Sequence, residues 1–354
     1  MEKLTLIAKK IAEKILDEEN KRRKFANFLR EINSEEKLLT KVTPEKLEDI
    51  RIVGVDGGIV KKSLHGFESI LARAAGVCFC YKEGKVDKVE YFPSRFPTPM
   101  PFIFDILSEL EFFHSNSIIR QAIEIETAIK CIKKLKPDLL LLHGSIIPHY
   151  SDKPKKDSKV YEDYKNLIKI YEKLFEESIK RKVMLASVIE DSRATRFCEI
   201  IKKEILPKIN HKKVSEIEKL LNKTGDTNIL FWVLEQGERT KIFKYSEYPK
   251  EHPVLRDFDK FNMNLYAFYL KTAKWDRPIR VDFLRNKEIE DKLAGILLAI
   301  SSHHSGYGMP TPIIEADNVA KLSEAEIENF FAQVSSFTGN IPSLMKLRRE
   351  ERPF

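Results

Sequence analysis

The sequence predicts an α/β fold in which a mixed sheet, made of an antiparallel meander plus parallel strands, is flanked by helices. Three observations support it: strand-like runs rich in β-branched and aromatic residues between about 52 and 92, a helical period from 106 to 135, and an apolar run at 139–142. A wholly apolar run is typical of a strand that is buried on both faces. The predicted order is three antiparallel strands, a helix and a fourth strand that pairs in parallel with the first.

The composition is that of a globular protein with a sizeable core. The 354 residues are 42% hydrophobic, and 62 Lys and Arg against 54 Asp and Glu give a formal charge of +8. This excess does not establish nucleic-acid binding, because Lys- and Glu-rich usage also fits a heat-adapted archaeon or bacterium. No apolar run reaches the ~20 residues that span a bilayer, and neither a signal-peptide core nor a disulfide framework is evident. We therefore expect a cytoplasmic protein without a membrane segment.

The first half of the chain is predicted to pass from helix to sheet. Residues 1–50 form an N-terminal helical segment, because apolar residues recur at helical spacing among charged ones. Strands follow at about 52–56, 69–81 and 86–92. Segment 93–101 contains four prolines and is predicted to be irregular, either as a loop over the site or as a hinge.

The second half is predicted to complete the sheet and its helical layers. A long amphipathic helix runs to about residue 180, and a strand follows at 183–189. Residues of about 195–260 form a charged, partly helical insertion with a strand at 231–234. The remaining predicted elements are strands at 266–270 and 279–283 and helices at 287–300, 315–322 and 324–337.

The most informative segment is 52–60, in which a β-branched run leads Asp56 into Gly57 and Gly58. Glycines allow another backbone, a phosphate or a metal to approach closely, and an Asp held there suits Mg²⁺ or Mn²⁺. Asp-Gly is also the usual two-residue hairpin signal, and the local sequence alone slightly favours that interpretation. The residues expected around Asp56 reverse this order.

Three polar positions are expected to converge. Asp56 leaves the first strand, His143 leaves the apolar strand beside it, and Glu126 lies on the connecting helix. Carboxylates from separate elements can hold two divalent cations ~3.5–4 Å apart, which activate water and stabilise the leaving oxygen of a phosphodiester. The alternatives are a solvated helix residue for Glu126, the commoner case for any single Glu, and a hydrogen-bonded core histidine for His143.

Taken together, these features resemble the NurA nuclease family over residues of about 45–325. The resemblance rests on short motifs: the strand end Val55-Asp56-Gly57-Gly58, Glu126 upstream of a strand ending in His143-Gly144-Ser145, and Ile314-Glu315-Ala316 after a Pro-rich segment. It implies an RNase H-like core, with a nuclease domain at 51–340 and a basic C-terminal tail at 341–354. It also implies a Mn²⁺-dependent 5′-to-3′ exonuclease with single-strand endonuclease activity, a homodimer that resects DNA ends with the hexameric translocase HerA.

By this resemblance, Asp56 and Glu126 are catalytic metal ligands, and Glu124 is the alternative if the helix register differs by half a turn. Two positions depart from the family's pattern. His143 stands where the family commonly has Asp, and Asp317 stands where it commonly has His. The family's usual Tyr is also replaced, by a Met two residues after Tyr307.

The two departures can be explained as an exchange. If His143 and Asp317 face the same metal pair, moving the imidazole and the carboxylate between them keeps the ligand number and charge, and both residues remain catalytic ligands. Imidazole and carboxylate both suit Mn²⁺, whereas Mg²⁺ prefers oxygen, so the exchange predicts a stronger preference for Mn²⁺. The competing hypothesis is a catalytically degenerate paralogue that keeps DNA binding and a HerA-type partner. A third is an RNase H-like protein that acts on RNA.

Four further residues are predicted to contact DNA. Arg73 lies on the meander face, Arg95 lies in the proline-rich loop, Arg193 follows the strand at 183–189, and Tyr307 precedes the last Pro-rich segment. Aromatic residues stack on bases and Arg holds phosphate in single-strand channels. The alternatives are a surface strand residue for Arg73, an ordinary packed loop for Arg95, and a loop pair with Asp191 for Arg193.

Overall fold

The computed structural model describes residues 2–32, 37–208, 214–285, 287–339 and 341–348. Its helices are α1 (Glu2–Glu31), α2 (Glu109–Leu135), α3 (Tyr161–Lys180), α4 (Arg196–Ile200), α5 (Val214–Leu221), α6 (Asp226–Val233), α7 (Glu290–Ser301), α8 (Thr311–Ala320) and α9 (Glu324–Thr338). Its strands are β1 (Leu39–Lys41), β2 (Ile50–Ser63), β3 (Glu68–Lys82), β4 (Lys85–Phe92), β5 (Met100–Phe104), β6 (Leu139–His143), β7 (Met184–Ile189), β8 (Glu238–Thr240), β9 (Phe243–Lys244), β10 (Leu265–Leu270) and β11 (Ile279–Leu284).

The strands form one mixed sheet. Its main path is β1-β8-β10-β11-β7-β6-β2-β3-β4, while β5 pairs with β3 and β9 pairs with β10. The meander β2-β3-β4 is antiparallel, whereas β2 and β6 are parallel, with Val55 opposite Leu142, and β6 and β7 are parallel too. The predicted α/β fold class is therefore confirmed, as is the predicted parallel pairing of the first and fourth strands.

Helices cover both faces of the sheet, because its central strands are apolar on both sides. On one face α2 and α3 pack over a cluster that includes Val55 and Leu142. On the other face α7 and α8 pack over a cluster that includes Ile52 and Leu141. The start of α2 is fixed by Ser108, which forms a capping box with Glu111. Because α2 covers one face of the sheet and α8 covers the other, the two helices approach β2 from opposite sides.

The N-terminal helix is shorter than predicted, because α1 ends at Glu31 and β1 lies within the predicted helical segment. Its C-terminal part is anchored to the charged insertion, where Phe25 and Leu29 share a buried cluster with Phe197 and Ile229. The insertion thus has a small core of its own, which continues onto β10 of the sheet through Ala267 and Tyr269.

The predicted strand at 231–234 is wrong, since residues up to Val233 belong to α6. Leu230 and Val233, which are three positions apart, are both buried in the cluster that α1 covers. A short apolar run satisfies a buried helix as well as a buried strand, so its period does not distinguish the two. The helix is also tied down at its start, where Asp226 accepts hydrogen bonds from the backbone N–H groups of Phe197 and Cys198, both 2.9 Å long.

The proline-rich segment is more regular than predicted. Its end belongs to β5, and Pro101 pairs with Leu71 of β3. Proline is tolerated there because β5 is an edge strand with a free side.

The described part of the predicted C-terminal tail packs on the β2–β3 turn, where the backbone N–H of His65 donates to Met345 O over 2.9 Å. Residues 349–354 lie outside the described residues. Within those that are described, no helix is long and apolar enough to cross a membrane.

Candidate metal centre

Asp56 is held in the middle of β2 rather than at a turn, so the hairpin interpretation of Asp-Gly is wrong. Asp56 as a residue is 6% exposed, and its Oδ1 accepts a hydrogen bond of 2.7 Å from the backbone N–H of Gly57. The strand continues past Val55, the last residue of β2 paired with β6. Asp56 therefore lies beside the carboxyl end of β6, where His143 ends that strand.

The glycines around Asp56 let two helices approach the strand. A Cβ at Gly54 would lie 2.2 Å from Pro312 O, at the start of α8, and a Cβ at Gly58 would lie 2.2 Å from Ala320 O, at its end. On the opposite face, a Cβ at Gly57 would lie 3.1 Å from the backbone oxygen of Arg120 and 3.1 Å from the Cβ of Glu124, both on α2. The close approach that the glycines predict is therefore made by protein backbone, which brings polar residues of both helices to Asp56.

Three of the predicted ligands meet here. Asp56, His143 and Asp317 each offer a ligand atom, and these atoms all lie within 4.8 Å of one another. The Nδ1 of His143 is 3.0 Å from the Oδ2 of Asp56. Asp317 is exposed on α8, so this cluster opens to solvent on the α8 side. We call these three residues the metal cluster.

The donor set of the metal cluster fits a divalent cation. Two ligand atoms about 2.1 Å from one ion and at right angles are about 3 Å apart, which matches the separation of 3.0 Å between His143 and Asp56. Two carboxylates and one imidazole suit Mn²⁺ and related transition metals, whereas Mg²⁺ usually takes oxygen ligands.

Electrostatics in the metal cluster favour a bound cation. Burial raises the pKa of Asp317, and the nearby carboxylate of Asp56 raises it further. For His143, burial lowers the pKa, but the hydrogen bond and charge of Asp56, with Glu124 and Asp317, outweigh it and raise the pKa overall. In both shifts the neighbouring carboxylates contribute negative charge, which a bound cation would offset.

The structure brings Glu124, not Glu126, to this region. Glu124 is 4% exposed, and its Oε2 accepts a hydrogen bond of 2.7 Å from Nη1 of Arg120. Burial raises its pKa to about 8; Arg120 opposes this shift, and Asp56 adds to it. Glu126 is exposed on the outer face of α2, with its Oε2 3.8 Å from Nζ of Lys130. Glu124, the alternative for a helix register that differs by half a turn, is therefore the glutamate that α2 turns toward Asp56.

Arg73 and Arg95, two of the predicted DNA contacts, differ in how accessible their guanidinium groups are. The guanidinium of Arg73 is largely buried and bonds to the backbone oxygens of Ala320 and Lys321, and to Glu326 over 3.1 Å. These contacts tie β3 to α8 and α9 and favour a structural role. Arg95 is exposed in the proline-rich loop, 5.7 Å from the ring centroid of Tyr91, and its guanidinium remains accessible.

The other two predicted contacts, Arg193 and Tyr307, lie near the carboxyl ends of the parallel strands β6 and β7. Arg193 is exposed in the loop that follows β7. Tyr307 is 41% exposed. Burial, followed by the charge and hydrogen bond of Glu190 and the charge of Asp317, raises the pKa of Tyr307 to about 12. Tyr307 therefore lies near the metal cluster, next to an acidic residue that the sequence analysis did not single out.

The chain resembles known proteins along most of its length. A family model described as the NurA domain matches residues 50–322. The crystal structure of the NurA nuclease from Sulfolobus solfataricus has a TM-score of 0.57 at 17% identity, covering 93% of this chain and 96% of that chain. A NurA bound to dAMP and manganese gives 0.51 at 14% identity, with 94% and 97% covered. A third NurA structure gives 0.52 at 12% identity, with 95% and 98% covered.

No curated protein matches this chain significantly. The similarity to the solved structures supports the fold, with strands and helices matched over nearly the whole of both chains. The family model covers well over half of the sequence, including Asp56, Glu124, His143 and Asp317. The chain therefore belongs to the NurA family.

Proposed function

We propose that this chain is a metal-dependent DNA nuclease, with the metal cluster and Glu124 as its catalytic centre. The observation that carries the proposal is the convergence of Asp56, His143 and Asp317 within 4.8 Å in a chain of the NurA family. The manganese and dAMP named for one NurA structure support a divalent cation and a nucleotide ligand. The reaction is hydrolysis of a phosphodiester bond, in which water adds to phosphorus and the ester oxygen leaves with a proton.

Each residue has a defined part in this proposal. Asp56 is oriented by the N–H of Gly57, so that its second oxygen faces His143. Arg120 holds one oxygen of Glu124, and in this proposal the other oxygen binds the cation. Asp317 completes the set from the solvent side. Divalent cations bound by these side chains would activate the attacking water and stabilise the leaving oxygen.

The finer properties are carried by the family resemblance. We propose a 5′-to-3′ exonuclease with single-strand endonuclease activity, acting in DNA end resection as a homodimer with a HerA-type translocase. We propose Mn²⁺ as the preferred cofactor and Mg²⁺ as a weaker one, because one ligand is an imidazole.

The proposal is tested by incubating the purified chain with 5′- and 3′-labelled single- and double-stranded DNA in Mn²⁺, Mg²⁺ or EDTA. Cleavage that requires the metal and favours Mn²⁺ is expected, and the two labels report its polarity. An RNA strand of the same sequence tests the RNA alternative, since a site that contacts the 2′-OH would distinguish the two. No cleavage in any metal, alone or with a HerA-type partner, would favour the degenerate alternative.

A matched pair on one helix tests the ligand assignment. Glu124→Gln is expected to reduce Mn²⁺-dependent cleavage about 10- to 100-fold, as for other groups that support a metal site. Glu126→Gln makes the same chemical change on the exposed face of α2 and should leave the rate within about twofold of wild type. Initial rates at several Mn²⁺ concentrations compare the two variants. Equal losses, or a greater loss for Glu126→Gln, would contradict the placement of Glu124 in the centre.

A second set of variants tests the exchange between His143 and Asp317. His143→Asp alone and Asp317→His alone should each reduce cleavage, since each leaves the cluster with the wrong balance of charge. The double variant should recover about tenfold over the poorer single variant, because residues in contact couple by about 0.5–3 kcal/mol. If His143→Asp raises activity while Asp317→Ala has no effect, the exchange hypothesis is wrong.

A further inference from the structure

The chain has two tryptophans, and their surroundings differ. Trp232 lies on α6, with the guanidinium of Arg23 4.0 Å from its ring centroid. Trp275 is 66% exposed in the connection between β10 and β11. An indole offers one of the largest apolar surfaces of any side chain. Trp275 therefore presents most of this surface to solvent, where a ligand can reach it.

The segment that carries Trp275 is fixed rather than loose. The backbone N–H of Trp275 donates to Ser305 O over 2.8 Å. The carboxylate of the next residue, Asp276, accepts from the N–H of Gly308 over 2.7 Å, and the hydroxyl of Thr272 donates to Gly308 O over 2.6 Å. These bonds on both sides of Trp275 join its connection to the segment 302–309. The ring is therefore presented from a braced backbone, which lowers the entropic cost of binding.

Trp275 lies at the same end of the strands as the metal cluster. β11 is antiparallel to β7, with Arg280 opposite Ile189, so the β10–β11 connection adjoins the carboxyl end of β7. β7 is parallel to β6, with Val188 opposite His143. Asp56, His143 at the end of β6 and the Trp275 connection therefore all lie toward the carboxyl ends of β6 and β7.

Side-chain contacts join the same parts. Arg277, two residues after Trp275, forms an ion pair with Asp191 in the loop after β7. Burial raises the pKa of Tyr307, two residues after the Ser305 that Trp275 contacts, and the negative charges of Glu190 and Asp317 raise it further, which indicates that Tyr307 lies near the metal cluster. Trp275 is thus connected to the cluster through both of the segments that surround it.

The chemistry around the ring is that of a nucleic-acid contact. The ammonium of Lys274 is 4.8 Å from the Trp275 ring centroid, and Tyr307 adds a second exposed aromatic surface. The exposed Arg193 lies in the loop after β7. Aromatic faces stack on unpaired bases, and neighbouring cations hold the phosphates. In duplex DNA the faces of the bases are covered by their neighbours, so this contact requires an unpaired base.

We propose that Trp275 is a stacking site for an unpaired nucleobase of the DNA strand that enters the metal centre. The inference deepens the proposed function and rests on it. It assigns the chain a preference for single-stranded ends that comes from base stacking, in addition to the attraction of phosphate to cations.

The test uses fluorescence in the full-length chain. Trp232→Phe leaves Trp275 as the sole tryptophan, so its emission reports on this ring alone. With EDTA present to prevent cleavage, a single-stranded oligonucleotide should quench the emission on binding. An abasic oligonucleotide of equal length has the same phosphates without bases and should not. Equal quenching by both, or none by either, would overturn the stacking site.

Two variants extend the test to affinity. Trp275→Ala should weaken binding of the single-stranded oligonucleotide about 5- to 100-fold, the range for one stacked base, and barely change binding of a blunt duplex. Trp275→Phe keeps an aromatic face and should retain most of the affinity. Unchanged single-strand binding by Trp275→Ala would falsify the inference even if the chain cleaves DNA. Because binding is measured without metal, a chain that binds through Trp275 and never cleaves would contradict only the nuclease proposal.

Discussion

Asp56→Asn is expected to reduce Mn²⁺-dependent DNA cleavage on the order of 1,000-fold or more, as for residues that act as one catalytic unit. Asn has almost the same shape and keeps an oxygen that can accept from the Gly57 N–H. It removes the negative charge that would hold the cation and the carboxylate that faces His143. The loss would therefore come from the charge of one side chain rather than from a change in the fold.

Thermal unfolding separates these two causes. Without metal, Asp56→Asn should unfold within a few degrees of wild type, because the relief of repulsion between Asp56 and Asp317 is offset by the lost attraction between Asp56 and His143. Saturating Mn²⁺ should stabilise wild type, by about 2.7 kcal/mol at 100 times the dissociation constant. The variant should gain little. An inactive variant that Mn²⁺ still stabilises as strongly as wild type would contradict Asp56 as a main ligand.

The parts of the centre that the sequence predicted correctly depend on strand pairing. In the predicted order of three antiparallel strands, a helix and a fourth strand, the first and fourth strands can pair in parallel. The structure has this pairing between β2 and β6, which puts Asp56 beside His143. The presence of Asp317 in the same cluster was implied only by the family resemblance, because no local pattern links α8 to β2.

The choice between Glu124 and Glu126 depends on the rotation of one helix. The buried positions of α2 include Ile125, Ala128 and Ile132, and Glu124 falls on this buried side while Glu126 points away. The spacing of Arg120 and Glu124, four residues apart, was a further signal, since such a pair shares one side of a helix. The helical period of α2 therefore favours Glu124 over Glu126.

Other features could not be predicted, because their causes are distant in the chain. The apolar run in α6 becomes helical where it meets α1, nearly two hundred residues earlier. The burial of Arg73 results from acceptors at the end of α8 and on α9. The role proposed for Trp275 depends on its exposure and on its place near the carboxyl end of β7, and no local sequence pattern shows either.

Gly54→Ala is expected to lower the free energy of unfolding by about 3 kcal/mol, the upper range for overpacking in a core. The added Cβ would lie 2.2 Å from the backbone oxygen of Pro312 and 2.7 Å from the N atom of Ile313. These are backbone atoms at the start of α8, so the clash cannot be relieved by rotating a side chain. Either the helix moves away from β2 or the strand bends.

Gly225→Ala provides the matched control, because its Cβ would lie 3.7 Å from the nearest atom, the oxygen of Ala194. Its free energy of unfolding in urea should fall by no more than about 1 kcal/mol, since the site has room and an ordinary φ of −75°, and only the modest N-cap preference for Gly over Ala at the start of α6 is lost. Gly54→Ala should also lose Mn²⁺-dependent cleavage in the fraction that remains folded, because α8 carries Asp317 as well as resting on Gly54. If Gly54→Ala were as stable and active as Gly225→Ala, α8 could not be held against β2 as described. The metal cluster would then need another explanation for the position of its third ligand.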